Sequence, residues 1–318
     1  MPTFTRYDAV GAREDLSDVI YDISPQDTPI MSSIGKTKAT AVFHEWQTDS
    51  LAAATASNAA VEGADATAAT LSPTTRIGNY TQIVQKTIQI SGTLESVDKA
   101  GRKSEKAYQL AKASAELKRD IETIITANQG QSAGNSTTAR VMGSLLSYIK
   151  TNTNKQESTT AGTDPTTIGV STRGDGTTRT FTETMLKDVV QKVFTSGGTP
   201  SLLVVPPALK QVVSGFTGLA QHRYNSNAGG EVTILAGADL YQSDFGVLQL
   251  VPDRFMRSSD REVLVLDPEY AALAYLRPFA TKDLAVNGDS ERSQLIAELT
   301  LEVRNEAAHG IVADLNTN

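Results

Sequence analysis

The chain holds 3 His, 36 Asp and Glu and 29 Lys and Arg but no Cys, so any chemistry it carries must do without a thiol. The missing sulfur removes disulfide scaffolds, thiolate zinc sites, Fe–S clusters and cysteine nucleophiles together. Ile34-Gly35-Lys36-Thr37 has the ending of a phosphate-binding loop, but Ile30 stands where that motif needs Gly, and Pro29 precedes it. His44-Glu45 opens like the helical zinc motif, yet Thr48 occupies the second ligand position and the segment reads as a strand. Asp283, Asn287 and Gly288 fit part of a calcium loop, but Ala285 and Gln294 replace two of its ligands, so a polar turn is the better reading. His44, His222 and His309 are dispersed, no Ser lies in a Gly-x-Ser-x-Gly elbow, and no carboxylate pair stands out for glycoside chemistry. Arg173-Gly174-Asp175 sits in a Thr- and Gly-rich stretch and reads as a turn. The glycosylation patterns at Asn79 and Asn135 matter only in a secretory pathway. No catalytic, cofactor or metal site is written here, and the chain reads as a non-enzyme.

The elements around these near-misses carry more information. Leu16, Val19, Ile20, Ile23 and Ile30 give the first 35 residues more apolar side chains than a free tail needs, while Pro25 and Pro29 oppose a continuous helix. An arm lying on another surface is expected. Residues 41–49, around Trp46, and residues 80–91 read as two strands, natural partners of each other, the second with Val84, Ile88 and Ile90 on one face and Ile83, Gln85, Thr87 and Gln89 on the other. Between them, positions 52–75 are dominated by Ala and Thr and hold only Val61 and Leu71 as larger aliphatics. That composition predicts a long two-stranded arm with a mobile tip, which needs another subunit to lie on.

From Thr93 to Asn128 the period changes to that of a helix. Leu110, Leu117, Ile121 and Ile124 form one stripe, Thr93 is a candidate N-cap, and one long amphipathic helix is expected, with Gly101 as a kink or the true start. Segment 150–182, rich in Thr and broken by Gly and Pro, reads as a surface loop or insertion. A compact α+β region follows, with helices near 182–195 and 207–214 and strands near 202–205, 232–235, 247–251 and 263–266. Finally Leu295, Ala297, Leu299, Leu301 and Val303 alternate with Glu298, Thr300, Glu302 and Arg304, the pattern of a half-buried strand that can pair beneath the long helix.

The net charge of −7 argues against a general nucleic-acid binder, since phosphate neutralisation supplies most non-specific affinity. The longest apolar run, Tyr270 to Leu276, is far short of the roughly 20 residues of a membrane-spanning helix, and the start lacks a secretory signal. A soluble protein made inside the cell is expected.

In order along the chain, Arg13-Glu14-Asp15-Leu16-Ser17-Asp18-x-Ile20, Ile23-x-Pro25-x-x-Thr28-Pro29, Glu45-Trp46-x-Thr48-Asp49-x-Leu51, Glu62-Gly63-Ala64, Gly78-Asn79-Tyr80-Thr81-Gln82-Ile83, Glu116-Leu117-Lys118-Arg119-Asp120-Ile121-Glu122 and Ala308-His309-Gly310 resemble the major capsid proteins of tailed bacteriophages. The resemblance covers essentially the whole chain and implies an α+β fold of the Hong Kong ninety-seven type. Its parts would be an N-terminal arm (1–35), an extended hairpin loop (36–91), a peripheral domain with a spine helix over a sheet (92–135 and 283–318) and an axial domain (136–282) carrying the Thr-rich loop 150–182. It implies self-assembly into hexamers and pentamers of a virion capsid built in the host cytoplasm, enclosing double-stranded DNA without gripping it. The implied partners are further copies of the chain, a portal protein, a scaffolding protein, separate or cleaved away, and a decoration protein; no cofactor and no membrane enter. Assembly contacts are expected from Leu16, Ile20, Ile23, Trp46, Val84, Ile88 and Ile90, and spine-helix packing from Leu110, Leu117, Ile121 and Ile124. A nanocompartment shell enclosing cargo enzymes shares the fold and is the alternative. A tail or fibre role would predict repeats, which the chain lacks.

Overall fold

The computed structural model describes residues 27–317 except 64, 66–67, 98–102, 159, 217–223, 227–231, 235–238, 257–259 and 287. Leu16, Ile20 and Ile23 of the expected arm therefore lie outside the described residues. The elements are α1 (Pro29–Ser33), β1 (Gly35–Lys38), β2 (Phe43–Thr48), β3 (Thr75–Tyr80), β4 (Gln82–Ser91), α2 (Gly92–Ser96), α3 (Glu105–Thr126), α4 (Leu145–Tyr148), β5 (Thr153–Asn154), α5 (Glu183–Thr195), β6 (Leu202–Val205), α6 (Pro207–Ser214), β7 (Tyr224–Ser226), β8 (Val232–Ile234), β9 (Leu240–Ser243), β10 (Gly246–Pro252), β11 (Val263–Leu266), β12 (Ala271–Asp283), β13 (Ser290–Val303) and β14 (Gly310–Val312).

The alternating C-terminal segment becomes β13, the centre of a four-stranded sheet ordered β1-β12-β13-β4. Leu295, Ala297, Leu299, Leu301 and Val303 fill its core face as the period of two requires. The opposite face is not solvated as expected: Glu298, Thr300 and Glu302 are buried as well. The β12–β13 ladder slips between Tyr275 and Ala280, where Pro278 has no N–H to give to its partner strand.

A six-stranded sheet, β5-β14-β11-β6-β10-β9, is covered on both faces. Alternation sends Leu203, Val205, Val263 and Val265 towards α5 and α6, and Leu202, Val204, Leu264 and Leu266 into a second cluster with Leu117, Ile121, Leu273 and Leu301. That second cluster spans both sheets. The sheets also divide the chain differently from the expected boundaries: β12, at 271–283, belongs with β13, and β14 belongs to the six-stranded sheet.

Four expectations change. The segment 93–128 is not one helix: Ser91 Oγ accepts from Leu94 N to cap α2, Val97 closes it in extended backbone, and Ser104 Oγ caps α3 through Ala107 N. Two separate capping serines start two helices. The buried stripe of α3 is Ala113, Leu117, Ile121 and Ile125, spaced by four, with Leu110 and Ile124 half-buried beside it. Residues 29–34, expected as the end of an arm lying on another surface, pack into this chain's own core: Pro29 at the first helical position starts α1, whose Ile30 and Met31 are buried, and Ile34 after it is buried too. The partner of β2 is β3, whereas β4 diverges after Thr81 to pair with β13.

Segment 150–182 is tied down and is no loose decoration. Arg173, 4% exposed, donates to Asp164 at 2.6 Å and to the Ile149 carbonyl at 3.0 Å, so the Arg-Gly-Asp tripeptide is a structural turn with its guanidinium inside. Asp314 adopts a left-handed φ of 60° and accepts from Gln156 N and Gly176 N; a Cβ on Gly162 would come within 2.3 Å of its carboxylate.

Candidate functional site

The hairpin β2–β3 pairs Phe43 with Tyr80, Trp46 with Ile77 and Thr48 with Thr75, and the chain between the strands leaves the body. Leu51, Val61 and Leu71 in that excursion are 99%, 79% and 88% exposed. Among the described residues nothing covers these aliphatic side chains, as the Ala- and Thr-rich composition predicts.

The root of the hairpin is fixed by polar side chains in the run Gly78-Asn79-Tyr80-Thr81-Gln82. The β4–β13 ladder ends at Gln82 opposite Leu299, and beyond it the Asn79 amide replaces a strand backbone. Asn79 Nδ2 donates to the Leu301 carbonyl at 2.8 Å and the Gly143 carbonyl at 3.1 Å, while Oδ1 accepts from Gly143 N at 2.8 Å. Asn79 is fully buried, so these bonds have no competition from water. The Tyr80 ring lies 4.6 Å from that of Phe43, and Gln82 Oε1 accepts from Met142 N. At Gly78 a Cβ would meet Glu45, Phe43 and the His44 carbonyl within 2.9 Å. The Gly78 carbonyl accepts from the hydroxyl of Tyr148, whose pKa burial pushes up.

Two buried glutamates of β13 hold the same root from the other side. Glu298 accepts from Thr81 Oγ1 at 2.9 Å, Arg140 at 2.6 Å and Arg277 at 2.7 Å. Glu302 meets His44 Nε2 at 3.1 Å, Thr37 Oγ1 at 2.9 Å and Arg304 at 3.1 Å. Burial raises the Glu302 pKa, but the hydrogen bonds from His44, Thr37 and Arg304 outweigh it and hold the carboxyl below its ordinary value. His44, a failed zinc ligand in the sequence, is thus a strand residue bonded to a carboxylate.

Of the expected contact residues, Trp46 is half-buried against the core, with its ring 6.1 Å from Tyr148 and its indole N–H buried without a partner. Val84 and Ile90 are buried inside the chain and Ile88 half-buried on the same face, so the first two are unavailable to a neighbour. On α3, Leu117 and Ile121 are inside the core, and Ile124 packs against it. Around them, Glu116 and Asp120 pair with Lys86, and the Arg119 guanidinium lies 5.3 Å from the Phe255 ring centroid. Asp283 of the failed calcium loop bonds Lys106 and Ser293, and no metal-binding cluster of His, Asp and Glu occurs among the described residues. No described helix is long and apolar enough to cross a membrane.

Sequence reasoning missed Asn79, Glu298 and Glu302 as organising residues. The signal available was a run of polar residues with bulky neighbours at the point where one strand pattern ends and the next begins.

A family model described as the SU10 major capsid protein matches residues 2–316. The major capsid protein of Escherichia phage Phieco32 is 38% identical over 128 residues, 40% of this chain and 36% of that protein, so the match spans well under half the relative's length. Among solved structures, the capsid asymmetric unit of cyanophage A-1(L) superposes with a TM-score of 0.68 at 10% identity, covering 98% of each chain. The holo-SrpI encapsulin complex from Synechococcus elongatus PCC 7942 does so with a TM-score of 0.56 at 10% identity, covering 96% of this chain and 94% of that one. At such identities the likeness shows a shared fold.

Proposed function

The chain belongs to the SU10 major capsid protein family, and from that membership we propose that it is the subunit of a closed icosahedral shell, assembled as hexamers and pentamers around double-stranded phage DNA. The single observation that supports this reading is the braced hairpin. A two-stranded ribbon is marginal in water by itself, yet here its root is held by Asn79, Glu298 and Glu302 while Leu51, Val61 and Leu71 stand in solvent. A stiff root with an uncovered apolar end suits a second copy of the same chain as its cover.

The net charge of −7 fits confinement of DNA by closure, since repeated tight phosphate contacts would hinder its entry and exit. In this reading the helix α3 with the four-stranded sheet is the peripheral part, the six-stranded sheet with α5 and α6 the axial part, and no residue is catalytic. A portal, a scaffolding protein and a decoration protein are the further partners, with assembly in the host cytoplasm. The test is electron cryomicroscopy of the purified protein at high concentration, alone and with scaffold: closed shells are expected, with the hairpin lying on a neighbour. A persistent monomer under both conditions would overturn the proposal. The encapsulin likeness supports a second reading, a shell around cargo enzymes. Particles that contain cargo protein and no DNA would favour it.

A further inference from the structure

After β11 the chain crosses between its two larger sheets twice, through 267–270 from β11 to β12 and through 304–309 from β13 to β14. Each crossing is one short turn, Pro268–Tyr270 and Glu306–Ala308, capped by the polar side chain before it: Asp267 accepts from Glu269 N and Asn305 from Ala307 N, both at 3.1 Å. The crossings lie side by side, because Arg304 N donates to the Tyr270 carbonyl and Arg304 Nη1 to the Glu269 carbonyl, both at 2.9 Å. His309, at the end of the second crossing, is fully buried and meets the first at both ends. Asp267 N donates to its Nδ1 at 3.3 Å, and its Nε2 lies 3.4 Å from the Tyr270 carbonyl.

A backbone N–H can only donate and a carbonyl can only accept, so these two neighbours fix the state of the ring. Nδ1 presents its lone pair to Asp267 N, and Nε2 carries the hydrogen that Tyr270 accepts. A second ring proton would sit on Nδ1 and face the Asp267 N–H, turning that bond into a repulsion. We propose that neutral His309 is the pin of a hinge between the two sheets, and that protonation of its ring withdraws the pin. Burial pushes the His309 pKa down to about 4, although the Tyr270 bond and the charges of Asp267 and Glu306 act the other way. A base whose folded pKa lies below its ordinary 6.5 contributes fully to the closed joint above that value, and the contribution is lost as pH falls through about 4.

The charged groups around the joint are engaged elsewhere. Asp267 accepts from Glu269 N, Thr199 N and Thr199 Oγ1, and Glu306 from Lys150 N, Thr151 N and Thr151 Oγ1. Glu302 of β13 is bonded to His44, Thr37 and Arg304, and Lys150 Nζ donates to the Thr166 carbonyl. On α5, Glu183 pairs with Lys187 and Asp188 with Lys192. Glu269 and Tyr270 hold their side chains in solvent, and β6, β11 and β14 carry no titratable side chain. A proton on His309 therefore meets no free carboxylate, and the joint must open to hydrate the charge.

Nitrogen NMR of the full chain with isotope-labelled histidine reads the ring, with His309 assigned by comparison with His44→Gln and His222→Gln. At about pH 7.5 its ring should be the Nε2–H tautomer, and it should still be neutral at about pH 5. Hydrogen exchange of residues 267–271 and 304–311 at about pH 7.5 and about pH 4.5, corrected for intrinsic rates, reads the hinge, with residues 203–205 of β6 as the internal reference. The gap between 6.5 and about 4 makes opening easier on the order of fiftyfold at the lower pH, so protection should fall by that factor while the reference holds. His309→Asn sets an amide oxygen where Nδ1 accepts and takes up no proton, so its protection should be equal at both pH values. An Nδ1–H tautomer, a ring that protonates near its ordinary 6.5, wild-type protection that ignores pH, a reference that falls in parallel, or a variant that follows the wild type would each overturn the proposal. If His309→Asn does not fold, the tautomer and the wild-type exchange decide it.

Discussion

Replacing Asn79 with Ala should release the hairpin from its root. The substitution leaves three buried backbone groups without partners, the N–H and carbonyl of Gly143 and the carbonyl of Leu301. Each orphaned group costs about 1 to 3 kcal/mol, and a realistic total is about 3 to 5 kcal/mol because some of the lost bonds return to water once the strand lifts. That is a large fraction of the about 5 to 15 kcal/mol that holds a typical domain together. With an m-value near 3 kcal/mol per molar urea, the midpoint should fall by about 1 M or more. Hydrogen exchange should localise the loss to residues 43–48 and 75–80, and shells should fail to close even from protein that remains soluble. Thr75→Ala, at the exposed end of the same strand, is the control and should change nothing measurable. An Asn79→Ala midpoint within about 0.3 M of wild type, with unchanged exchange in β2, would refute the assignment of Asn79 as the pin.

Trp46→Ala should cost about 2 to 3 kcal/mol, less than a fully buried Trp, while Trp46→Phe, which deletes an unpartnered buried N–H, should cost under about 1 kcal/mol; urea midpoints compare the two. Ile121→Asp sets a charge beside Leu117 in a fully buried position and should abolish soluble folded protein, so a folded, assembling variant would show that this face of α3 is not core. Glu262 is pushed up to about 7, first by burial and then by Asp175, and its Oε2 has no partner. Because its folded pKa lies above its unfolded one, its stability contribution is full below about 4.5 and is lost as pH rises through about 7, by as much as about 3 kcal/mol. Glu262→Gln should flatten that fall between pH 5 and 8 in urea titrations, and an unchanged slope would contradict it. Limited proteolysis of free subunits should cut within 52–75 first and spare 150–182, whose backbone is held by Asp314, Arg173 and Glu306; early cleavage in the second segment would mean those bonds do not persist.

Patterns set by a local period were legible from the chain alone. The alternation 295–303 became β13, the boundaries of α6 and β11 match the sequence reading, and the faces of β4 follow its residue types. The same local rules failed where two readings compete. The helix-favouring run 93–128 concealed a second start at the Ser104 cap, and the first cap is Ser91 and not Thr93; residues 80–91 looked like the partner of β2 because pairing is invisible in a strand's own composition.

The ordered motif blocks identified the family, and the fold's grouping of them gives the physical cause for several of their residues. Asn79 meets Leu301 across 222 positions, and Glu122 meets Ile30 across 92. A buried amide or carboxylate is costly alone and stabilising only once its partners arrive, and no spacing rule ties partners that far apart. The composition of 52–75 decided by itself that the hairpin end would pack little against the described body, since Ala and Thr bury little area. Only the tertiary structure decided that its root would be rigid, because rigidity there depends on hydrogen bonds between distant segments in a place that water cannot reach.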